Sequence, residues 1–157
     1  MSNFIIKQGT VNELDIVKPL WEKLNRLHYN LSLHFKNRYE NKTWENRKQF
    51  LIEKSKNILF EYVILSFDNS IIGYCISTIE KKNYKSGEID SIFIEENYRK
   101  SGIGKQLMNR AIEWLNAQGS KTQKILVGVG NEEVLEYYKQ FDFFPLHIVL
   151  QKVNSNE

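Results

Sequence analysis

Among 157 residues there is a single cysteine, Cys75, and one cysteine can build neither a disulfide framework nor a metal cluster. Its neighbours Tyr74 and Ile76 are apolar, so Cys75 reads as a buried strand residue, and a reducing, cytoplasmic compartment is expected. No pair of His, Cys, Asp or Glu residues has metal-ligand spacing, so no metal is expected. No apolar run reaches the roughly 18 residues that a membrane span needs, and the opening MSNFIIKQG lacks a secretory apolar core. Neither a membrane partner nor a signal peptide is expected on that reading. A strong charge of one sign is also missing. The net charge is +3, with Lys and Arg spread among acids, which leaves no nucleic-acid footprint. Repeats and low-complexity tracts are absent. What remains is 41% hydrophobic and 13% aromatic, the composition of an ordered globule, and residues 1–157 are expected to form one domain.

One local absence organises the rest. From Tyr98 to Arg110 there is no acidic residue, while Arg99, Lys100, Lys105 and Arg110 are basic. A helix start ordinarily carries Asp or Glu in its first turn to complement the dipole. Here a helix does start. Ile103, Leu107, Met108, Ala111, Ile112 and Leu115 fall on one amphipathic face. Before it, Ile89, Ile92, Phe93 and Ile94 form a short β-branched run suited to a strand covered on both faces. Between strand and helix, Gly102 and Gly104 let a ligand approach the backbone closely, and N–H groups converge there without intrahelical partners. The turn reads as a cradle for a diphosphate, whose charge replaces the missing acids.

Two other phosphate loops do not fit. A Walker A loop has Gly five residues before its Gly-Lys pair and a hydroxyl residue after it; here those places hold Arg99 and Gln106. The dinucleotide pattern G-x-G-x-x-G fails at Leu107. What stands is Arg99-x-x-Gly102-x-Gly104, which resembles the (Arg/Gln)-x-x-Gly-x-(Gly/Ala) signature of the GNAT N-acetyltransferase superfamily. The resemblance implies acetyl-CoA as co-substrate, with Arg99, Lys100, Ser101, Gly102, Ile103, Gly104 and Lys105 around its pyrophosphate.

The element order agrees with that family. Phe4–Gln8 is read as a strand, and Thr10–Glu13 as a capping box that opens a helix interrupted at Pro19. A second helix follows Thr43. Ile58–Leu65 and Ile71–Ile79 form a hairpin around Asp68-Asn69. After the Glu88–Gln118 unit come a strand over Lys124–Val129, a short helix after Gly130-Asn131, and a last strand over Leu146–Val153. The resemblance implies an α/β (mixed α+β) fold. Its centre is a twisted mixed sheet of about six strands, with helices on both faces and two parallel strands splayed into a V. In that family the wedge takes the pantetheine arm, so the backbone groups of Ile92, Phe93 and Ile94 are expected to pair with it. Splayed strands leave backbone groups that need a partner in any case.

Acetyl transfer to an amine requires a neutral amine and a proton for the leaving sulfur. The family motif Asn-x-x-Ala-x-x-Phe-Tyr-x-x-x-Gly-Phe aligns with Asn131, Val134, Tyr137, Tyr138, Asp142 and Phe143. That implies Tyr138 as proton donor and Asn131 as a cofactor contact. Asp142 stands where a left-handed glycine is expected, and Asp tolerates that region. For the base, Asp90 is the first candidate and Glu88 the second, both at the same strand parity as Ile92 and Ile94. His28 and His34 are eligible, though a lone histidine near a helix end is more often a packing or surface residue. The acceptor is expected to be a small-molecule primary amine, with the pocket built from residues 28–44 and 81–87. A peptide amine, a non-catalytic acyl-CoA sensor and a homodimer stay open.

Overall fold

The computed structural model, described over residues 3–154, centres on one five-stranded sheet. Its strands are β1 (Phe4–Gly9), β2 (Ser55–Leu65), β3 (Ile71–Glu80), β4 (Ser86–Ile94) and β5 (Thr122–Lys124), in the order β1-β2-β3-β4-β5. Neighbours are antiparallel except β4 and β5, which run parallel. Five helices surround it: α1 (Lys18–Leu31), α2 (Lys36–Glu40), α3 (Trp44–Lys54), α4 (Ile103–Ala117) and α5 (Val134–Lys139).

Local chemistry explains the boundaries. Glu13 reaches back to accept from the Thr10 amide at 2.9 Å, and the chain then makes a 3-10 stretch over Val11–Val17. Pro19 falls in the first turn of α1, where its missing N–H costs nothing, so the interruption expected there is a restart. The Thr43 hydroxyl accepts from the Asn46 amide and caps α3. In the hairpin between β2 and β3, the Asp68 side chain accepts from the Ser70 amide.

Each sheet face has its own core. On one, Leu107, Met108, Ala111 and Leu115 of α4 pack with Val63, Cys75, Ile79 and Ile89. On the other, Leu20 and Trp21 of α1 and Trp44 and Leu51 of α3 pack with Phe60, Tyr74, Ile76 and Phe93. Fully burying one such side chain is worth about 1.5–3 kcal/mol, so the two layers hold the sheet between them.

Three expectations are corrected. The fifth strand pairs only over Thr122–Lys124, not through Val129. Residues 146–153 form no strand, and Leu146 and Leu150 are 89% and 91% exposed, so the described sheet has five strands instead of six. Both shortfalls have one cause: an extended segment becomes a stable strand only against a partner, and neither segment has one. The parity argument fails as well. In the β3–β4 ladder Ile76 faces Ser91 and Ser77 faces Ile89, so Asp90 is an extra residue, a bulge. The bulge reverses the alternation. Glu88, Asp90 and Ser91 face the α1/α3 layer, whereas Ile92 and Ile94 pack toward α4.

Candidate active site

Pairing between β4 and β5 covers only Ser86–Glu88 and Thr122–Lys124. Among the described residues no strand pairs with the β4 edge from Ile89 to Ile94 on that side, and the chain after Lys124 diverges from it. Between them lies an open cleft. Ile89–Ile92 form one wall and Ile125–Val127 the other; Leu24 and His28 of α1 close one side, and Asn131, Val134 and Tyr138 close the opposite one.

At the far end of β4 the glycine turn leads into α4. Gly102 adopts φ +87, a left-handed conformation that a residue with a Cβ holds at a cost of roughly 1–2 kcal/mol. Lys100 is also left-handed, at φ 61. Among the described residues, the amides of residues 100–105 find no acceptor, and no side chain caps the helix. The Arg99 guanidinium donates from Nε to the Ile94 carbonyl at 2.8 Å and lies over the Phe93 ring, tying the loop to the end of β4. Ser101 donates its hydroxyl to the Tyr98 carbonyl. Lys100, Ser101 and Lys105 are exposed, and Ile103 is buried in the α4 core. A run of bare amides at the positive end of a 15-residue helix, flanked by lysines, has the electrostatics that suit an anion.

The two adjacent tyrosines of α5 part company. Tyr138 lines the cleft, and burial pushes its phenol up to about 12, with the neighbouring Cys75 and Tyr137 adding to the effect. Tyr137 turns toward the loop. Its hydroxyl is buried without a partner and lies 2.7 Å from where a Cβ on Gly104 would sit. Asp142 does adopt the left-handed conformation, at φ 64.

Glu88 and Asp90 are held by a residue that the sequence did not single out. Lys54, the last residue of α3, makes ion pairs with both carboxylates, and its Nζ lies 2.5 Å from Glu88 Oε2. The Thr78 hydroxyl donates to the other Asp90 oxygen, and Arg47 donates to the Asp90 carbonyl at 3.0 Å. Burial pushes Asp90 up to about 7, reinforced by the charge of Glu88 and opposed by Lys54. Burial alone would raise Glu88 too, but hydrogen bonds from Asp90 and Lys54 outweigh it and leave Glu88 lowered. The pair therefore holds two carboxylates of very different acidity side by side. Asp90 has no exposed side-chain surface, so it meets a proton only through a relay.

His28 stacks on Tyr39 with ring centroids 5.6 Å apart, and burial followed by the Lys42 charge lowers its pKa, so it is neutral at pH 7. Its α1 spacing from Leu24, one helical turn, was the available signal that both share the cleft-facing stripe. His34 is exposed. Glu61 is engaged by Arg110 of α4 at 2.5 Å. Cys75 is buried and its thiol is pushed up to about 12, no nucleophile at neutral pH.

The sequence matches the model of the Acetyltransferase (GNAT) family over residues 21–143. The chain belongs to that family. Its match to an uncharacterised N-acetyltransferase of Methanocaldococcus jannaschii is 38% identical over 74 residues, 47% of this chain and 32% of the relative. This chain thus matches about a third of the archaeal relative's length. Among solved structures, the fold is similar to a tetramutant of a Bacillus halodurans protein (TM-score 0.71, 16% identity, 94% of this chain and 98% of that one). It is also similar to glucosamine-6-phosphate N-acetyltransferase of Arabidopsis thaliana (TM-score 0.60, 13% identity, 96% and 98%). A third is AAC(6')-Iy in complex with the bisubstrate analogue CoA-S-monomethyl-acetylneamine (TM-score 0.62, 14% identity, 96% and 97%). At these identities the GNAT neighbours share the fold. Among the described residues no group of three His, Cys, Asp or Glu side chains is placed to hold a metal ion, and no helix is long and apolar enough to cross a membrane.

Proposed function

We propose that this GNAT protein transfers an acetyl group from acetyl-CoA to the primary amine of a small-molecule acceptor, by direct attack with both substrates bound. The observation that carries the reading is the run of bare amides at 100–105, opening beside a cleft that reaches Tyr138. Acetyl-CoA supplies the activated acetyl thioester. The amides of residues 100–105, with no side chain at Gly102 or Gly104 and with Arg99, Lys100 and Lys105 alongside, fit its diphosphate. The β4 edge over Ile92, Phe93 and Ile94, which no strand covers on the cleft side and whose Ile94 carbonyl is held by Arg99, suits the amides of its pantetheine arm, with Asn131 on the facing side. Tyr138 keeps its proton at neutral pH and can give it to the departing sulfur. An acceptor amine arrives protonated and must lose a proton before attack. Asp90, poised at about 7, accepts that proton through a relay, with Glu88 and Lys54 setting its charge state.

The test is release of free thiol from acetyl-CoA against a panel of small amines, with glucosamine 6-phosphate included because one structural neighbour is named for it. A peptide N-terminus and a lysine peptide complete the panel. Turnover with a small amine is the expected result. Thiol release with peptides alone would mark a protein acetyltransferase. Acetyl-CoA binding without thiol release in any class would mark a non-catalytic acyl-CoA sensor.

A further inference from the structure

Given acetyl transfer to a small amine, on which this rests, we propose that the acceptor also carries an anion, a phosphate or a carboxylate, held by Arg38, Lys42 and Arg47 at the α1/α2 end of the cleft. Its amine then lies toward Asp90. The carboxylates around that end are already engaged. Lys54 holds Glu88 and Asp90, Lys48 holds Asp15 at 2.8 Å, and Lys18 holds Glu45 at 3.0 Å. Glu40, the one acid between residues 28 and 44, is exposed at the end of α2. Among the described residues Arg38, Lys42 and Arg47 take part in no ion pair. They also feel one another. Lys42 reaches solvent, yet partial burial first, and then the charges of Arg38 and Arg47, lower its pKa. Three cations without a counter-charge repel, and an anion set among them relieves that repulsion.

Geometry joins the cluster to the cleft. The Lys42 ammonium lies 5.0 Å from the centroid of the Tyr39 ring, Tyr39 stacks on His28, and His28 lines the cleft together with Asp90. The Tyr39 hydroxyl and the His28 ring each lie 3.4 Å from where a Cβ on Gly128 would sit, so α1 and α2 close the cleft against the chain that follows β5. Arg47 enters from α3. Its Nη2 donates to the Asp90 carbonyl, which fixes the guanidinium beside the proposed base. Its remaining N–H groups have no partner among the described residues, and their fork matches the paired oxygens of a phosphate or carboxylate. A second ammonium on the acceptor would find repulsion here instead. Lys54 already offsets Glu88, Asp90 at about 7 is only partly ionised, and His28 is neutral.

The test measures free-thiol release with matched amines: O-phosphoethanolamine against ethanolamine, glucosamine 6-phosphate against glucosamine, and β-alanine against propylamine. In wild type the anionic member of a pair should have a kcat/KM at least about tenfold higher, carried by KM. A gain in all three pairs assigns a pocket for any small anion, and a gain in the first two alone assigns one for phosphate. Arg38→Gln with Lys42→Gln should cut the ratio within a pair by about tenfold, and Lys42→Glu should cut it further. A merely structural role would not do this, because both members of a pair would then suffer alike. Calorimetry of the same amines on CoA-loaded protein separates this proposal from the transfer reaction beneath it. Tighter binding of the anionic members without thiol release upholds the pocket and overturns acetyl transfer. Thiol release with both members alike overturns the pocket and leaves acetyl transfer standing. A ratio that the variants leave unchanged overturns the pocket as well.

Discussion

With its phenol lifted by burial to about 12, Tyr138 keeps its proton throughout the working range, as the proposed donor must. Tyr138→Phe should lower kcat by roughly 10²-fold or more, the usual share of a general acid. The acetyl-CoA dissociation constant, read by calorimetry, should stay within about twofold of wild type, because a proton donor acts on the transition state more than on binding. Tyr137 predicts the opposite pattern. Its hydroxyl is buried without a partner, and a buried polar group left unsatisfied costs about 1–3 kcal/mol. Tyr137→Phe should therefore raise the melting temperature of the ligand-free protein, by roughly 2–4 °C for each kcal/mol recovered. Asp90 brings pH into play. Its pKa rises from the ordinary 3.8 to about 7, so the stability it contributes is fully present below 3.8 and is lost as pH climbs through about 7. Asp90→Asn, neutral throughout, should compare better with wild type in melts at pH 8 than at pH 5. If Asp90 is the base, the same variant should also lose the rise in kcat/KM that wild type shows as pH passes 7.

At the scale of elements, the loop entering α4 depends on an empty space. A Cβ on Gly104 would sit 2.7 Å from the Tyr137 hydroxyl and 3.2 Å from an Ile94 methyl. Gly104→Ala should weaken acetyl-CoA binding by about tenfold, a change of roughly 1.4 kcal/mol, as the helix start shifts to relieve the contact. Adding Tyr137→Phe removes the colliding oxygen, so the double variant should recover most of that affinity. Two additive effects in a double-mutant cycle would sink the idea. Much at this scale could be read in advance, because its causes are local: the Thr43 cap, the Asp68-Asn69 hairpin, and the two glycines set in a stretch without acids. The bulge at Asp90 could not. The polar pair Asp90-Ser91 and the apolar run Ile92-Phe93-Ile94 break simple alternation, but only the β3 ladder shows which residue is additional. Lys54 was hidden for a related reason. Nothing local marks a lysine at a helix end as the counter-charge for carboxylates 34 and 36 residues away.

Across the whole molecule, the proposed anion site lies where α4, β4 and α5 meet, so a bound ligand should brace all three. Acetyl-CoA at a hundred times its dissociation constant should add about 2.7 kcal/mol to stability, readable as a melting shift of roughly 5–10 °C. Raising the ionic strength should increase KM for acetyl-CoA, because Lys100 and Lys105 are exposed and easily screened. Lys100→Gln with Lys105→Gln should flatten that dependence. The overall order of elements was legible from apolar period and turn residues. The ends of β5 and the tail were not, because whether an extended segment pairs depends on what lies beside it.

The unpaired link at position 90 has a last consequence. Since Ser77 already faces Ile89 and Ile76 already faces Ser91, excising Asp90 would let the strand close up as a regular splice, with every flanking residue kept on its present side. Such a shortened chain should fold and still hold the coenzyme, yet turn over slowly at every pH. Residue 90 is thus an insert that the sheet could do without and that the proposed chemistry could not.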